Sequence, residues 1–181
     1  MLITTSRKPS PRTRSFAGSM ERVFNSKYVN RGKMSMRDVI LKLKASNYLN
    51  VAVIYEMKGN PSRIEFFNQE GDLILSMDIT VSNSLAKGRI QRNELKLRWD
   101  FDESKFKKKD LKDKIISVLG VPEDPLVLIK TDSLKDKLRH YSNSNLILVK
   151  REDNKAVAEF HDQKGQITGP RIYIHRCRTG D

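Results

Sequence analysis

The segment between Ser35 and Gly71 has a counterpart later in the chain, and no other feature constrains the fold as much. "SMRD", "VAVIY" and "IEFFNQEG", beginning at Ser35, Val51 and Ile64, recur in the same order as "SLKD", "LILVK" and "AEFHDQKG", beginning at Ser133, Leu146 and Ala158. The offset drifts only from 98 residues at the two serines to 94 at Gly71 and Gly165, as two short deletions in the later copy would produce. Whatever the first copy folds into, the second should fold into as well. The stretch "SNSLAKG", small, polar and turn-prone, falls between them and sets the expected halves at residues 1–88 and 89–181.

Local patterns supply the elements of each copy. "LITTS" is short and β-branched and stops at Pro-Ser-Pro, so a strand should give way to a loop. Phe16, Met20, Val23 and Phe24 then share one helical face, and the spacing predicts a helix over residues 15–24 with Ser15 as its cap. Ser35 and Asp38 form the Ser-x-x-Asp capping box of a second helix, lined by Met36, Val39, Ile40 and Leu43. "NVAVIYEM" reads as a buried strand, "GNPS" as a turn, "RIEFF" as the returning strand, "NQEGD" as another turn and "LILSMDITV" as a third strand. In the second half "LKLRW" takes the place of "LITTS", and Phe106, Leu111, Ile115 and Leu119 mark a helix ending at Gly120. "PLVLIK" reads as a further strand, and the lysines of "KFKKKDLKDK" as the solvated side of that helix. The fold class is α/β, as a duplicated pair of similar halves.

Charge narrows the function. The chain of 181 residues carries a formal net charge of +13, which points to a polyanionic partner, nucleic acid first. Residues 1–44 hold eleven Lys or Arg against two acids, and residues 164–181 hold four against one, whereas the long middle is nearly neutral. One cysteine, Cys177, cannot form an internal disulfide, and His140, His161 and His175 lack metal-ligand spacing, so no metal or other cofactor is expected. No apolar run is long enough to span a bilayer, which argues against a membrane partner and for a cytoplasmic location. Phosphate-binding loops, nucleophile elbows and dinucleotide fingerprints are missing, so the protein is not read as an enzyme.

The segments "ITTSRKPSPRTRSF", "NRGKMSMRDV", "YEMKGNPSRIEFF" and "GPRIYIHRCR" together resemble the Brix domain family, in particular archaeal members similar to the U3 snoRNP-associated protein of the eukaryotic small-subunit processome. The resemblance covers essentially the whole chain. It implies a ribosome biogenesis factor that binds rRNA, pre-rRNA or guide RNA alongside ribosome-assembly proteins. It also implies halves that each resemble the anticodon-binding domain of class II aminoacyl-tRNA synthetases. Ile172 stands where the family often has an aromatic after Gly-Pro-Arg.

The candidate RNA-binding residues follow from the basic ends. Arg7, Lys8, Arg12 and Arg14 leave a strand, cross a proline-stiffened loop and enter a helix, whose free amides would help to cradle phosphate. Arg31, Lys33 and Arg37 surround the start of the second helix, and Arg63 sits in a hairpin where it either meets RNA or pairs with Glu56 or Glu65. Arg171, Arg176 and Arg178 belong to the last strand, together with Tyr173 and His175, which with Tyr28 are the candidates for base stacking. Phe16, Phe24, Phe66 and Phe160 are read as core, and backbone contacts are expected to dominate over base reading. A monomer with these residues in one groove is the leading expectation; the alternative is a protein-interaction scaffold with little direct RNA contact and an exposed apolar patch.

Overall fold

In the strand β3 (Asn50–Met57) Val51 and Val53 point to one side and Ala52 and Ile54 to the other, and all four are buried. A strand apolar on both faces must be covered on both, and this one is. The computed structural model describes residues 1–24, 26–82, 95–100, 111–121, 145–152, 155–162 and 164–180. Along them run β1 (Leu2–Thr5), α1 (Pro11–Val23), β2 (Lys27–Tyr28), α2 (Met36–Lys44), β3, β4 (Asn60–Asn68) and β5 (Leu73–Ser82). They continue as β6 (Leu95–Asp100), α3 (Leu111–Leu119), β7 (Asn145–Glu152), β8 (Lys155–His161) and β9 (Arg171–Thr179).

The described strands make one nine-stranded sheet in the order β2-β1-β3-β4-β5-β9-β8-β7-β6. From each end inward the pairing is the same: β1 with β3 and β6 with β7 are parallel, and the following hairpins are antiparallel. The two copies meet at an antiparallel β5–β9 seam, from Leu75 opposite Thr179 to Ser82 opposite Arg171. The repeat extends to register. Val51, Ala52 and Val53 face Phe67, Phe66 and Glu65, and the matching Leu146, Ile147 and Leu148 face His161, Phe160 and Glu159. This is a mixed α/β fold. The junction at residues 83–92, "PLVLIK", "SLKD" and Phe106 lie outside the described residues.

One core fills the first face of the sheet. There α1 contributes Phe16, Ala17, Met20 and Val23, and α3 contributes Ile115 and Val118, over Ile54, Ile64, Phe66, Ile147, Phe160 and Ile172. The core crosses the seam: the rings of Phe24 in the first half and Phe160 in the second meet edge to face with centroids 5.7 Å apart. The Asn50 amide also donates to Val118 O at 2.9 Å. On the second face α2 packs Val39 and Leu43 against Leu2, Val51 and Val53. Its capping box forms as read, with both Ser35 to Asp38 bonds present.

Two local expectations need correction. Helix α1 begins at Pro11, with Ser10 rather than Ser15 as N-cap, because proline is well suited to the first helical position, where no intrahelical N–H bond is lost. The first hairpin turns at Lys58 and Gly59, which take φ values of 51 and 78°, and Pro61 lies inside β4 opposite Glu56 next to a register shift.

Candidate nucleic-acid interface

The basic N-terminal loop is tied down at both ends. Ser6 N–H donates to Ile54 O at 2.8 Å, Pro9 is buried, and Ser10 Oγ donates to Gly59 O at 2.8 Å. Ser10 N–H donates to the Glu56 carboxylate at 2.8 Å. Hydrogen bonds from the Thr13 hydroxyl and the Ser10 amide hold the Glu56 carboxyl below its ordinary range. Glu56 thus occupies the positive end of α1, and the free-amide phosphate cradle expected from the sequence is already filled from within. What remains for an external anion are the side chains. Arg7, Lys8, Arg12 and Arg14 are exposed, and Arg12 reaches Val81 O at 3.3 Å.

Because β1 and β2 are parallel, the helices that follow them both start at the same edge of the sheet, α1 on one face and α2 on the other. Lys33 and Arg37, exposed at the start of α2, therefore share a rim with Arg7, Lys8, Arg12 and Arg14. None of these six forms an ion pair among the described residues. Arg31 differs from the expectation of an exposed cation: it is 7% exposed, with its Nε donating to Met34 O at 3.2 Å. Its guanidinium shares the Tyr55 hydroxyl with Glu65. Burial first, and then Glu65, push that hydroxyl above its ordinary value.

Away from the rim, the second face of β4, β5 and β9 carries polar side chains, while that of β8 is buried, with Val157, Glu159 and His161 all 3% exposed or less. Arg63 donates from Nε to Asp78 Oδ1 at 2.8 Å and stands 3.7 Å from Glu65, so of its two expected partners Glu65 is engaged and Glu56 is not. Arg178 reaches the other Asp78 oxygen at 3.5 Å, while Arg176, directly across from Asp78 in register, has no carboxylate partner among the described residues. Arg171 pairs with Glu159 and lies 3.7 Å from Glu152. Lys150 Nζ approaches Glu159 Oε1 at 3.2 Å, and His161 Nε2 lies 3.6 Å from Glu159 Oε2. Burial pushes the Glu159 carboxyl up, but His161, Lys150 and Arg171 together overcome it and hold the pKa at about 2. A hydrogen bond to Tyr173 and the charge of Glu159 raise Arg171 against its partial burial.

The expected groove is assembled only in part. Arg12 ends one residue from Ser82, the register partner of Arg171, so the loop and the start of β9 do approach. Arg176 and Arg178 lie farther along the strand, about 16 to 23 Å from Arg171 at the usual rise per residue. Of the proposed stacking side chains, Tyr173 and His175 lie on the polar side, with Arg171 Nη1 3.3 Å from Tyr173 Oη and His175 Nε2 2.7 Å from Thr80 Oγ1. Tyr28 does not: it packs against the core with its hydroxyl buried. Ile172, at the position after Gly-Pro-Arg, points into the core and is 4% exposed. Gly169 in the same motif is packed on Phe160, where a Cβ would come within 2.8 Å of the ring. Sequence reasoning missed Asp78, the role of Glu159 as partner of Arg171 and Lys150, and the role of Glu56, which meets Ser10 rather than Arg63. Their only local signal was that of ordinary strand acids.

No family model matches the chain. A probable Brix domain-containing ribosomal biogenesis protein of Methanothermobacter thermautotrophicus is 31% identical over 182 residues, covering 100% of both chains. This chain belongs to that family of archaeal Brix domain-containing ribosomal biogenesis proteins. The Brix relative from Methanococcus maripaludis is 41% identical over 105 residues, 58% of this chain and 61% of that one. Among solved structures, Mil, an archaeal Imp4-like protein, matches with a TM-score of 0.70 at 26% identity over 99% of this Brix chain and 100% of its own. A probable ribosomal biogenesis protein from Aeropyrum pernix K1 shares the Brix fold with a TM-score of 0.73 at 21% identity, over 99% and 98% of the two chains.

Proposed function

We propose that this Brix protein is a non-catalytic RNA-binding factor that contacts rRNA, pre-rRNA or a guide RNA during pre-rRNA processing and small-subunit assembly in the cytoplasm. The observation that carries the reading is the rim. Six cations from two helix starts and one anchored loop stand exposed at one sheet edge without an ion-pair partner among the described residues. Such charges gain affinity by releasing counterions from phosphates. Arg171, paired with Glu159, lies beside this set at the start of β9, and Arg63, Arg176 and Arg178 add a second zone on the face of β4, β5 and β9. Arg31 is inward and serves Tyr55.

The repeated strand register supports descent of residues 1–88 and 89–181 from one ancestral unit, and the resemblance read in the sequence is what suggests a likeness of each half to an anticodon-binding domain. A scaffold without RNA contact has less support. The large exposed apolar side chains among the described residues, Leu41, Leu49 and Met57, do not form one patch, since Leu49 and Met57 lie at opposite ends of β3.

Filter binding of the purified protein to its own rRNA should show affinity falling with salt, with a logarithmic slope near 0.7 for each single-strand phosphate contacted. The triple change Arg7→Glu, Lys8→Glu and Arg14→Glu should weaken all sequences alike and lower the slope by about 2. A salt-independent affinity would sink the reading.

A further inference from the structure

The hairpin that joins β3 to β4 outruns its neighbours at the rim. The last pairing between β1 and β3 is Thr5 with Ile54, and the first between β4 and β5 is Arg63 with Asp78. Met57 therefore stands three residues past the end of β1, about 10 Å at the usual rise per residue. Among the described residues no strand pairs with residues 56–62 from either side. The overhang is nevertheless held in one pose. Ser10 donates from Oγ to Gly59 O and from its amide to the Glu56 carboxylate, both at 2.8 Å, and Asn60 Nδ2 donates to Lys58 O at 3.2 Å. Pro61 is buried opposite Glu56. The two turn residues are Lys58 and Gly59, with φ values of 51 and 78°, a left-handed pair that is strained for lysine and kept by these contacts.

At the tip Met57 is 67% exposed, an apolar side chain on an otherwise cationic edge. Lys58 is exposed next to it, the loop of Arg7 and Lys8 leaves β1 directly beside β3, and Lys33 and Arg37 lead into α2 on the other face. A lone exposed methionine needs no explanation. One fixed at the end of an anchored overhang, between two sets of cations, has the form of a wedge. We infer that the β3–β4 hairpin abuts the end of an RNA helix, with Met57 packed on the face of the last base pair where paired strands give way to unpaired ones, and with the cations on either side holding the phosphates of the diverging strands. The inference rests on the RNA-binding reading above and names the feature of RNA that the rim takes. Base edges inside an A-form helix lie in a groove that side chains cannot read, whereas the face of a terminal pair is open. A thioether is polarizable and packs well on flat rings, and apolar side chains, methionine among them, act as wedges at base steps. Sequence should matter little, since every base has a π-face.

The test uses the full chain and an RNA duplex with a single-stranded overhang, carrying 2-aminopurine either in the pair next to the overhang or in the middle of the duplex. Binding of the wild type should change the fluorescence of the terminal probe by about twofold or more and leave the central probe unchanged, because only the last pair is touched. Met57→Ala should abolish the terminal change and weaken junction binding about fivefold, with the salt slope and the affinity for a plain single strand unaltered. Met57→Leu should keep the wild-type signal, since an apolar wedge of similar size remains. Both variants should melt with the wild type, as the side chain is exposed. A terminal signal that survives Met57→Ala, or one of equal size at both probe positions, would overturn the inference while the RNA-binding reading stands, and would leave the exposed methionine to a protein partner. Absence of binding to the duplex and the single strand at low salt would bring down that reading, and this one with it.

Discussion

Glu159 shows how a single acid can be both buried and charged. Its side chain is 2% exposed, a position that favours the neutral form, yet one imidazole and two cations reverse the balance and leave its pKa at about 2 against an ordinary 4.5. A carboxylate with a depressed folded pKa stabilises the native state in full above the unfolded value and loses that contribution as pH falls through the folded one. The acid limb of stability should therefore descend between about pH 4.5 and 2, by about 2 kcal/mol once solvent screening at the partly exposed Lys150 is counted. Urea unfolding of Glu159→Gln should show destabilisation of at least that size at pH 7, where two part-buried cations lose their partner, and a much smaller difference from wild type at pH 2.5. A loss of equal size at both pH values would place the effect in packing rather than charge.

At the level of elements, the start of α1 joins three parts of the first half. Ser10 caps the helix through Thr13 N–H, donates to the β3–β4 turn at Gly59 O and gives its amide to Glu56 on β3. Ser10→Ala removes the first two bonds. An N-cap alone is worth about 1 kcal/mol, and the hairpin bond adds to it, so a loss of about 1.5 to 2 kcal/mol in chemical denaturation is expected. Hydrogen exchange at Arg7 and Lys8 should quicken in the same variant, because that bond to the turn anchors the loop on its helical side. The helix was legible in the sequence from Phe16, Met20 and Val23, whose period needs no partner to be seen. Its start was misplaced by four residues because Pro-Ser-Pro signals a break, and only the neighbouring hairpin shows that the second proline opens a helix instead of closing a loop.

For the whole molecule, the decisive contact is the seam. Each half offers its last strand to the other, and Phe24 and Phe160 pack across the division. Separated, either half would expose an unpaired central strand and an open core face. Unfolding should accordingly be one cooperative event, with far-ultraviolet dichroism and Trp99 fluorescence giving coincident midpoints. Two resolved transitions would mean that the halves are stable on their own.

Apart from the short β2 and the start of α1, the described elements were legible in the sequence, as were the repeat and the uneven charge, since periodicity, turn residues and composition are local properties that each copy carries alone. The sequence also carried the family, through four short segments spread along the chain. Only the tertiary structure decided which cations are free. Arg31, Arg63, Arg171 and Arg178 look like Arg7 and Arg14 in one dimension, but strand pairing sets Glu65, Asp78 and Glu159 against the first group and leaves the second at an edge. Charge compensation depends on distances of a few ångströms between residues up to a hundred positions apart, and those distances exist only once the strands are in register.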